Sequence, residues 1–246
     1  MIIIKDKIFF FHIPKTGGLS VEKFLCECSG LSLSNPLNLS LGYFDIPFPL
    51  DNSQNKRGKI TSSIQHTPYS IQKNWIKSNL IAFNNQWTKF TIVRNPYYRA
   101  FSAIYYQPPC LLTYNAHMVG DDLAQKRKLF KTSYRRFFET NDSLNGAWGG
   151  MRIPQYNLIE DVGLEELDIY KYEEGLDSIL PKVLSHKYKL PPKIPYRHNA
   201  TVELRHPKLN KEEYFDREYI ERINDYYADD FKYLGYEMLN PLDYPE

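Results

Sequence analysis

The sequence predicts an α/β fold in which helices cover both faces of a central, mainly parallel sheet. Two strand candidates, at 7–13 and 89–94, each carry an apolar run that leads into a turn and then into a helical pattern. Strands and helices alternate along the chain, which is typical of parallel sheets. The chain of 246 residues can bury a sizeable core, so we expect one domain over 1–246. Irregular insertions are expected around 30–58 and 107–150.

The elements of the first third follow from composition. The strand at 7–13 is short, apolar and aromatic, and the segment at 18–28 after it has a helical pattern. Residues 30–58 are rich in Ser, Asn, Pro and Gly, which favours irregular structure. A second strand is predicted at 60–64, followed by a helix near 69–79.

The strand at 89–94 leads into a helix that begins at Asn95-Pro96, because Pro is favoured in the first turn of a helix. Pro108-Pro109 is expected to end that helix. The later elements are, in chain order, a basic amphipathic helix at 123–138, a loop at 141–150, a strand at 167–172, a helix at 175–188 that Pro181 kinks or restarts, a proline-rich loop at 191–207 and a helical stripe at 211–234.

The charge balance gives no indication of a nucleic-acid partner. Lys plus Arg total 31 and Asp plus Glu total 29, so the net charge is +2 and any anion binding must come from local groups. Three cysteines, Cys26, Cys28 and Cys110, are too few for a disulfide framework. Cys26 and Cys28 would point to different faces of the predicted helix, so we expect no shared metal there and no metal site elsewhere.

No apolar stretch approaches the ~20 residues that a membrane-spanning helix needs. The first seven residues, Met-Ile-Ile-Ile-Lys-Asp-Lys, lack the pattern of a signal peptide. We therefore expect a soluble, cytoplasmic protein.

The segment Pro14-Lys15-Thr16-Gly17-Gly18-Leu19-Ser20 joins the first strand to the first helix. Backbone N–H groups converge where a strand breaks into a glycine-containing turn before a helix, and the helix dipole favours an anion there. Lys15 adds a positive charge, Gly17 and Gly18 permit close approach to the backbone, and Ser20 offers a hydroxyl in the first helical turn.

The segment from Phe90 to Tyr105 has the same order of a buried strand, a turn and a helix N-terminus. Arg94 lies at the carboxyl end of its strand, where ligands bind in doubly wound sheets. Ser102 follows about two helical turns later, so it can share a face with the turn. A guanidinium and a hydroxyl in this arrangement can bind a phosphate.

Together these segments resemble the sulfotransferases that depend on 3′-phosphoadenosine 5′-phosphosulfate (PAPS). Residues 14–20 resemble the family's 5′-phosphosulfate loop, and Arg94-Asn95-Pro96-x-x-Arg99-x-x-Ser102-x-x-Tyr105 resembles its 3′-phosphate motif. The segment at 11–18 is particularly similar to carbohydrate sulfotransferases such as the heparan sulfate 6-O enzymes and their bacterial relatives. Residues 226–236 resemble the family's closing helix. The resemblance implies a P-loop NTPase-like, three-layer α/β/α fold.

The resemblance also implies roles for individual residues. Lys15 would stabilise the charge that grows on the oxygen between phosphate and sulfate, and no metal would be required. The product would be 3′-phosphoadenosine 5′-phosphate (PAP). The residues that the resemblance assigns to the co-substrate are Pro14, Lys15, Thr16, Gly17, Gly18, Leu19, Ser20, Arg94 and Ser102. Arg99 is expected to be structural.

An attacking hydroxyl needs a base, for which His is well suited near neutral pH. We expect His66, which follows the second predicted strand, because related sulfotransferases place a His after such a strand. His117 and His198 stay open as alternatives, and some family members use Glu. His12, on the first strand, is expected to be a hydrogen-bonded core residue.

The acceptor is expected to be a carbohydrate or another hydroxyl compound. Residues 149–156 look like the family's Pro-Gln segment near the acceptor, so Arg152 and Gln155 are predicted to bind it. Met151-Arg152-Ile153 stands where the family often has a His, which is a departure from the pattern. The basic run at 126–136 is either a solvated helix face or an anionic-glycan surface.

Two other functions compete with sulfuryl transfer. A P-loop kinase would need Gly-x-x-x-x-Gly-Lys-Ser/Thr, whereas Lys15 precedes the glycines here. A nucleotide-binding protein that lacks transfer activity is the other alternative. The oligomeric state is not indicated by the sequence.

Overall fold

The computed structural model describes residues 2–4, 8–28, 87–106, 122–139, 149–162, 166–186 and 210–246. Within these residues a four-stranded sheet has the order β1-β2-β3-β4. The strands are β1 (Ile2–Ile4), β2 (Ile8–Phe11), β3 (Thr88–Val93) and β4 (Asp168–Lys171). β2, β3 and β4 run parallel, and β1 pairs antiparallel with β2. The predicted α/β class is therefore confirmed, with β1 as an unpredicted addition.

The two predicted apolar strands lie side by side at the centre of this sheet. Phe11 of β2 is in register with Thr91 of β3, and the Thr91 hydroxyl donates a 2.8 Å hydrogen bond to the Phe11 carbonyl. All of β2 and most of β3 are buried, as expected for parallel strands covered on both faces. The carboxyl ends of the two strands are therefore neighbours.

Each of these strands is followed by the predicted helix. Helix α1 (Gly18–Cys28) comes after β2, and α2 (Pro96–Tyr106) comes after β3. The other helices are α3 (Leu123–Glu139), α4 (Gln155–Ile159), α5 (Leu176–Leu184), α6 (Arg217–Tyr226) and α7 (Ala228–Leu234). Short 3₁₀ turns lie at Gly149–Met151, Glu160–Val162, Tyr172–Glu174, Lys211–Tyr214 and Pro241–Asp243.

The helical stripe predicted at 211–234 is broken into three pieces. A 3₁₀ turn ends at Tyr214, and Asp216 then caps α6 by accepting a 2.8 Å hydrogen bond from the Tyr219 N–H. The cap begins a new helix, because its side chain satisfies an N–H that has no partner within the helix. Pro181, by contrast, lies inside α5 without ending it.

The chain divides into two units. The first comprises Met1–Val93 and Asn157–Asn199, and the second comprises Arg94–Tyr156 and Ala200–Glu246. The prediction of a single domain stays a prediction. The core of the first unit joins the sheet to α1 and α5, and its buried members are Ile8, Phe10, Val21, Phe24, Leu25, Phe90, Ile92, Ile179, Leu180, Val183 and Leu184.

The core of the second unit is largely aromatic. The rings of Phe101 and Phe130 lie 4.8 Å apart between centroids, and those of Tyr134 and Tyr219 lie 5.3 Å apart. The buried Tyr219 hydroxyl donates a 2.8 Å hydrogen bond to the Tyr97 carbonyl. Tyrosine rings therefore fill much of this core, and the Tyr134 and Tyr219 hydroxyls find partners, whereas the buried Tyr227 hydroxyl has none among the described residues.

Several predictions lie outside the described residues. These are the strand at 60–64, the helix near 69–79, the insertion at 30–58, most of the insertion at 107–150, and the loop at 191–207.

Candidate functional site

The loop between β2 and α1 has a backbone set by two left-handed residues. Lys15 has φ +70° and Gly17 has φ +81°. The Thr16 hydroxyl donates a 2.8 Å hydrogen bond to the Ile13 carbonyl, which closes the turn from inside. The Ser20 N–H donates 2.9 Å to the Gly17 carbonyl as α1 begins. The chain therefore turns sharply into a helix N-terminus, where partial positive charge accumulates.

The two glycines are required by protein packing. A Cβ on Gly18 would lie 2.1 Å from Cδ2 of His12, and a Cβ on Gly17 would lie 2.8 Å from Cε2 of Tyr172. Gly17 also needs its positive φ, which few other residues adopt. Close approach of an anion to these glycines stays a prediction. The structure adds a second reason for them, because protein side chains already lie next to both Cβ positions.

His12 packs against the start of α1 and is hydrogen-bonded within the core. Its Nδ1 is hydrogen-bonded to Oε1 of Glu22 at 2.8 Å, and both side chains are almost fully buried. The ring also stacks on Phe10, with centroids 5.9 Å apart. The prediction of a hydrogen-bonded core histidine is confirmed, and its partner Glu22 lies one turn into α1.

The chemical capacity of this loop comes from charge and a helix end. Lys15 is half-buried in the turn, and Pro14, Thr16 and Gly18 are buried around it. An ammonium next to a helix N-terminus suits a phosphate or sulfate group. The strand, turn and helix lie where the sequence predicts them, and the binding roles of residues 14–20 stay predictions.

The turn after β3 is also ordered by side chains. The Asn95 side chain accepts a 3.0 Å hydrogen bond from the Tyr97 N–H, and Pro96 occupies the first position of α2. This is the expected start of a helix, because Asn is a good cap and Pro fits the first turn. Arg94, immediately before the cap, is half-buried, as is Ser102 within α2.

Gln155 holds the backbone of Arg94 through both ends of its amide. The Arg94 N–H donates to Gln155 Oε1 at 2.8 Å, and Gln155 Nε2 donates to the Arg94 carbonyl at 2.8 Å. Nε2 also donates to Oδ2 of Asp230 at 3.1 Å. Gln155 is fully buried. These partners differ from the acceptor contact predicted for Gln155, which stays a prediction.

Asp230 lies in a cluster of buried polar groups. Its Oδ1 accepts a 2.8 Å hydrogen bond from the Tyr156 N–H. Burial raises the pKa of Asp230, and the positive charge of Arg99 opposes that rise. Arg99 itself is almost fully buried and donates to the Ile153 carbonyl at 3.0 Å, with its guanidinium 5.8 Å from the Tyr227 ring centre. The expected structural role of Arg99 agrees with this placement.

The family of the chain follows from a comparison that covers nearly all of it. The model of the sulfotransferase family matches residues 1–237. The chain belongs to the sulfotransferase family. No curated protein and no solved structure gave a match to this sulfotransferase. Family membership supports transfer of a sulfuryl group to a hydroxyl-bearing acceptor, and members of the family generally use PAPS.

Other residues predicted for the acceptor of this sulfotransferase lie in its second unit. Arg152 donates a 3.2 Å hydrogen bond to the Phe138 carbonyl, and its guanidinium lies 5.9 Å from the ring centre of Phe137 and 6.0 Å from that of Tyr226. The Arg152 guanidinium therefore lies within cation–π distance of two aromatic rings. Contact with an acceptor stays a prediction for Arg152.

The basic run of α3 is partly neutralised. Lys131 lies 2.9 Å from Asp216, and Arg135 forms an ion pair with Glu218. The pKa of Glu218 is lowered to about 2, first by its hydrogen bond to Arg135. These contacts favour a helix face engaged with α6 over a surface dedicated to an anionic glycan.

Glu22 and Asp230 are the supporting residues that sequence reasoning missed. Asp230 carries a usable signal, since an acidic side chain next to Phe231 falls within an apolar stripe and so is expected to be buried. Glu22 carries no such signal, because its partner lies ten residues away across a turn.

The residues predicted as bases, His66, His117 and His198, lie outside the described part of the chain. Within the described residues there is no group of three or more His, Cys, Asp or Glu that could hold a metal ion. No helix in the described segments is long and apolar enough to cross a membrane.

Proposed function

We propose that this sulfotransferase moves the sulfuryl group of PAPS to a hydroxyl of a carbohydrate acceptor. The observation that carries the proposal is the loop at 14–20, which presents Lys15 at the N-terminus of α1 directly after a buried parallel strand. The P-loop NTPase-like, three-layer arrangement of the family is part of the same proposal. The described sheet, with three parallel strands, is compatible with it.

The proposed reaction exchanges one S–O bond for another. The acceptor oxygen forms a bond to sulfur while the bond between sulfur and the bridging oxygen of the 5′-phosphate breaks. PAP leaves with the bridging oxygen, and the acceptor proton passes to the base. Such in-line transfers depend mainly on positioning and on electrostatic stabilisation of the leaving group.

Lys15 has the largest role in this scheme. Its ammonium would neutralise the negative charge that grows on the bridging oxygen as PAP leaves. The backbone of Thr16, Gly17 and Gly18, at the positive end of α1, would hold the 5′-phosphate. Because the Thr16 hydroxyl is engaged with Ile13, we assign Thr16 its role through the backbone.

The 3′-phosphate is assigned to Arg94 and Ser102. A guanidinium recognises phosphate through paired hydrogen bonds, and a hydroxyl adds a further donor. We propose His66 as the base and Arg152 and Gln155 as acceptor-side residues, from the family resemblance of their segments.

Calorimetry of PAP binding in the presence of a chelator tests the proposed function. We expect micromolar affinity for PAP without metal, and much weaker binding of ATP with Mg²⁺. A preference for ATP–Mg²⁺ would overturn the proposal in favour of a kinase. Tight PAP binding with no sulfate transfer in a radiolabelled screen over glycans and small hydroxyl compounds would favour a binding protein.

Replacing His66 with alanine should abolish most sulfate transfer while PAP binding is retained. General-base catalysis contributes about 10²–10⁴-fold in rate, and the base does not contact PAP. His186→Ala is the matched control, since His186 is exposed and its Nε2 is hydrogen-bonded to the Thr88 hydroxyl at 3.4 Å. Normal transfer by His66→Ala would direct the search to His117, His198 or a Glu.

A further inference from the structure

A single side chain, that of Gln155, is hydrogen-bonded to both backbone polar groups of Arg94. Gln155 accepts from its N–H and donates to its carbonyl, each at 2.8 Å. A side-chain amide that binds one residue at both positions fixes its φ and ψ together, because neither peptide plane can rotate without losing a bond. Arg94 is therefore anchored independently of the helix that follows.

Asp230 fixes which way the Gln155 amide points. Its Oδ2 accepts from Gln155 Nε2 at 3.1 Å, and a carboxylate oxygen accepts but does not donate. A flipped amide would place Gln155 Oε1 against Asp230 and would lose both bonds to Arg94. The Tyr156 N–H at 2.8 Å holds the other carboxylate oxygen in place.

The anchor is dry and charged. Gln155 and Asp230 are both fully buried. Burial of a carboxylate is costly unless it is hydrogen-bonded and faces positive charge. The compensation comes from the Gln155 side chain, from the backbone N–H groups of Gln155 and Tyr156, and from the charge of Arg99. This buried network holds the backbone of Arg94, which suggests that the direction of the Arg94 side chain matters for function.

We propose that Gln155, oriented by Asp230, is a positioning residue that aims the guanidinium of Arg94 at the 3′-phosphate. This inference rests on the proposed function. Paired hydrogen bonds between a guanidinium and a phosphate depend on direction, so the affinity gained depends on where the Arg94 backbone is held. Gln155 acts through Arg94 and does not itself touch the nucleotide.

The test compares PAP with 5′-AMP, which lacks the 3′-phosphate, in Gln155→Met. We expect PAP to bind about tenfold more weakly and 5′-AMP to bind within about twofold of the parent protein, as for loss of a charge-assisted hydrogen bond. In an Arg94→Ala background, Gln155→Met should leave the PAP to 5′-AMP affinity ratio unchanged. Gln125→Met, on the exposed surface of α3, is the matched control.

The outcomes separate this inference from the proposed function. If the parent protein binds 5′-AMP as tightly as PAP, the assignment of the 3′-phosphate site is wrong. If the parent prefers PAP but Gln155→Met weakens both nucleotides equally, Gln155 is merely structural and the inference fails. The inference also fails if Gln155→Met lowers the PAP to 5′-AMP affinity ratio by the same factor in the Arg94→Ala background as in the parent protein, because Gln155 would then act independently of Arg94.

Two further measurements apply if Gln155→Met does not fold. Asp230→Asn is milder, since an amide can still accept from one donor, and it should lower the affinity for PAP more than that for 5′-AMP. In the unaltered protein, hydrogen exchange at the Arg94 amide should be strongly slowed. Exchange at the rate of an exposed peptide would contradict the anchor directly.

Discussion

Lys15→Ala is expected to lower kcat for sulfate transfer by about 10²–10³, the usual loss on removing one preorganised stabiliser of a leaving or attacking oxygen. The affinity for PAP should fall much less. The reason is that the charge on the bridging oxygen is largest in the transition state, so the ammonium contributes more there than in the bound ground state. Transfer kinetics and calorimetry with PAP measure the two quantities separately.

A change at an exposed lysine provides the control for Lys15→Ala. Lys128→Ala removes the same charge from the surface of α3 and should leave both kcat and PAP affinity near the parent values. Equal losses of turnover and PAP affinity in Lys15→Ala would remove Lys15 from the catalytic step and leave it a binding role only.

Gly18→Ala is expected to destabilise the first unit by about 3 kcal/mol, in the upper part of the range for overpacking. The added Cβ would overlap the His12 ring at 2.1 Å, and that ring is buried and hydrogen-bonded to Glu22. Because the His12 ring is buried and held by Glu22, relief of the overlap must displace either this ring or the loop that leads into α1. Chemical denaturation would measure the loss, and transfer activity should fall with it.

A second background shows whether His12 is the cause. In the double variant His12→Ala/Glu22→Gln, the clash is gone, and Gly18→Ala should become neutral or stabilising, because Gly18 lacks a positive φ and Ala reduces the entropy of the unfolded chain. An equal penalty in both backgrounds would mean that the glycine is needed for its backbone alone.

The strand-to-helix crossovers could be predicted from the sequence because their signals are local. The apolar run at 7–13 and the turn after it predict β2, which is observed over Ile8–Phe11, and α1, whose predicted bounds 18–28 are those observed. Asn95-Pro96 likewise predicts the start of α2, because Pro is favoured in the first helical turn, and the structure adds the cap formed by Asn95. Each of these features depends on residues within a few positions of one another.

Features that depend on short or distant pairings could not be predicted. β1 has three residues and gains its place only by pairing with β2, for which no periodic pattern exists. The break before α6 depends on Asp216 acting as a cap within a continuous apolar stripe.

The supports of the site are equally non-local. Gln155 is 61 residues from Arg94, and Asp230 is 75 residues from Gln155. A Pro-Gln pair gives no information about which carbonyl its amide will bind. The residues expected to touch the nucleotide could be named from their types and turns, whereas the side chains that hold them in place required the structure.

The left-handed backbone of Lys15 carries a conformational cost at the position where the proposed mechanism needs an ammonium. A side chain with φ +70° costs about 1–2 kcal/mol that glycine would not incur. Lys15→Gly is therefore expected to stabilise the protein while it lowers turnover, because the same change removes the ammonium to which we assign the leaving group. A variant with such slow turnover would be suited to trapping donor and acceptor together in one crystal.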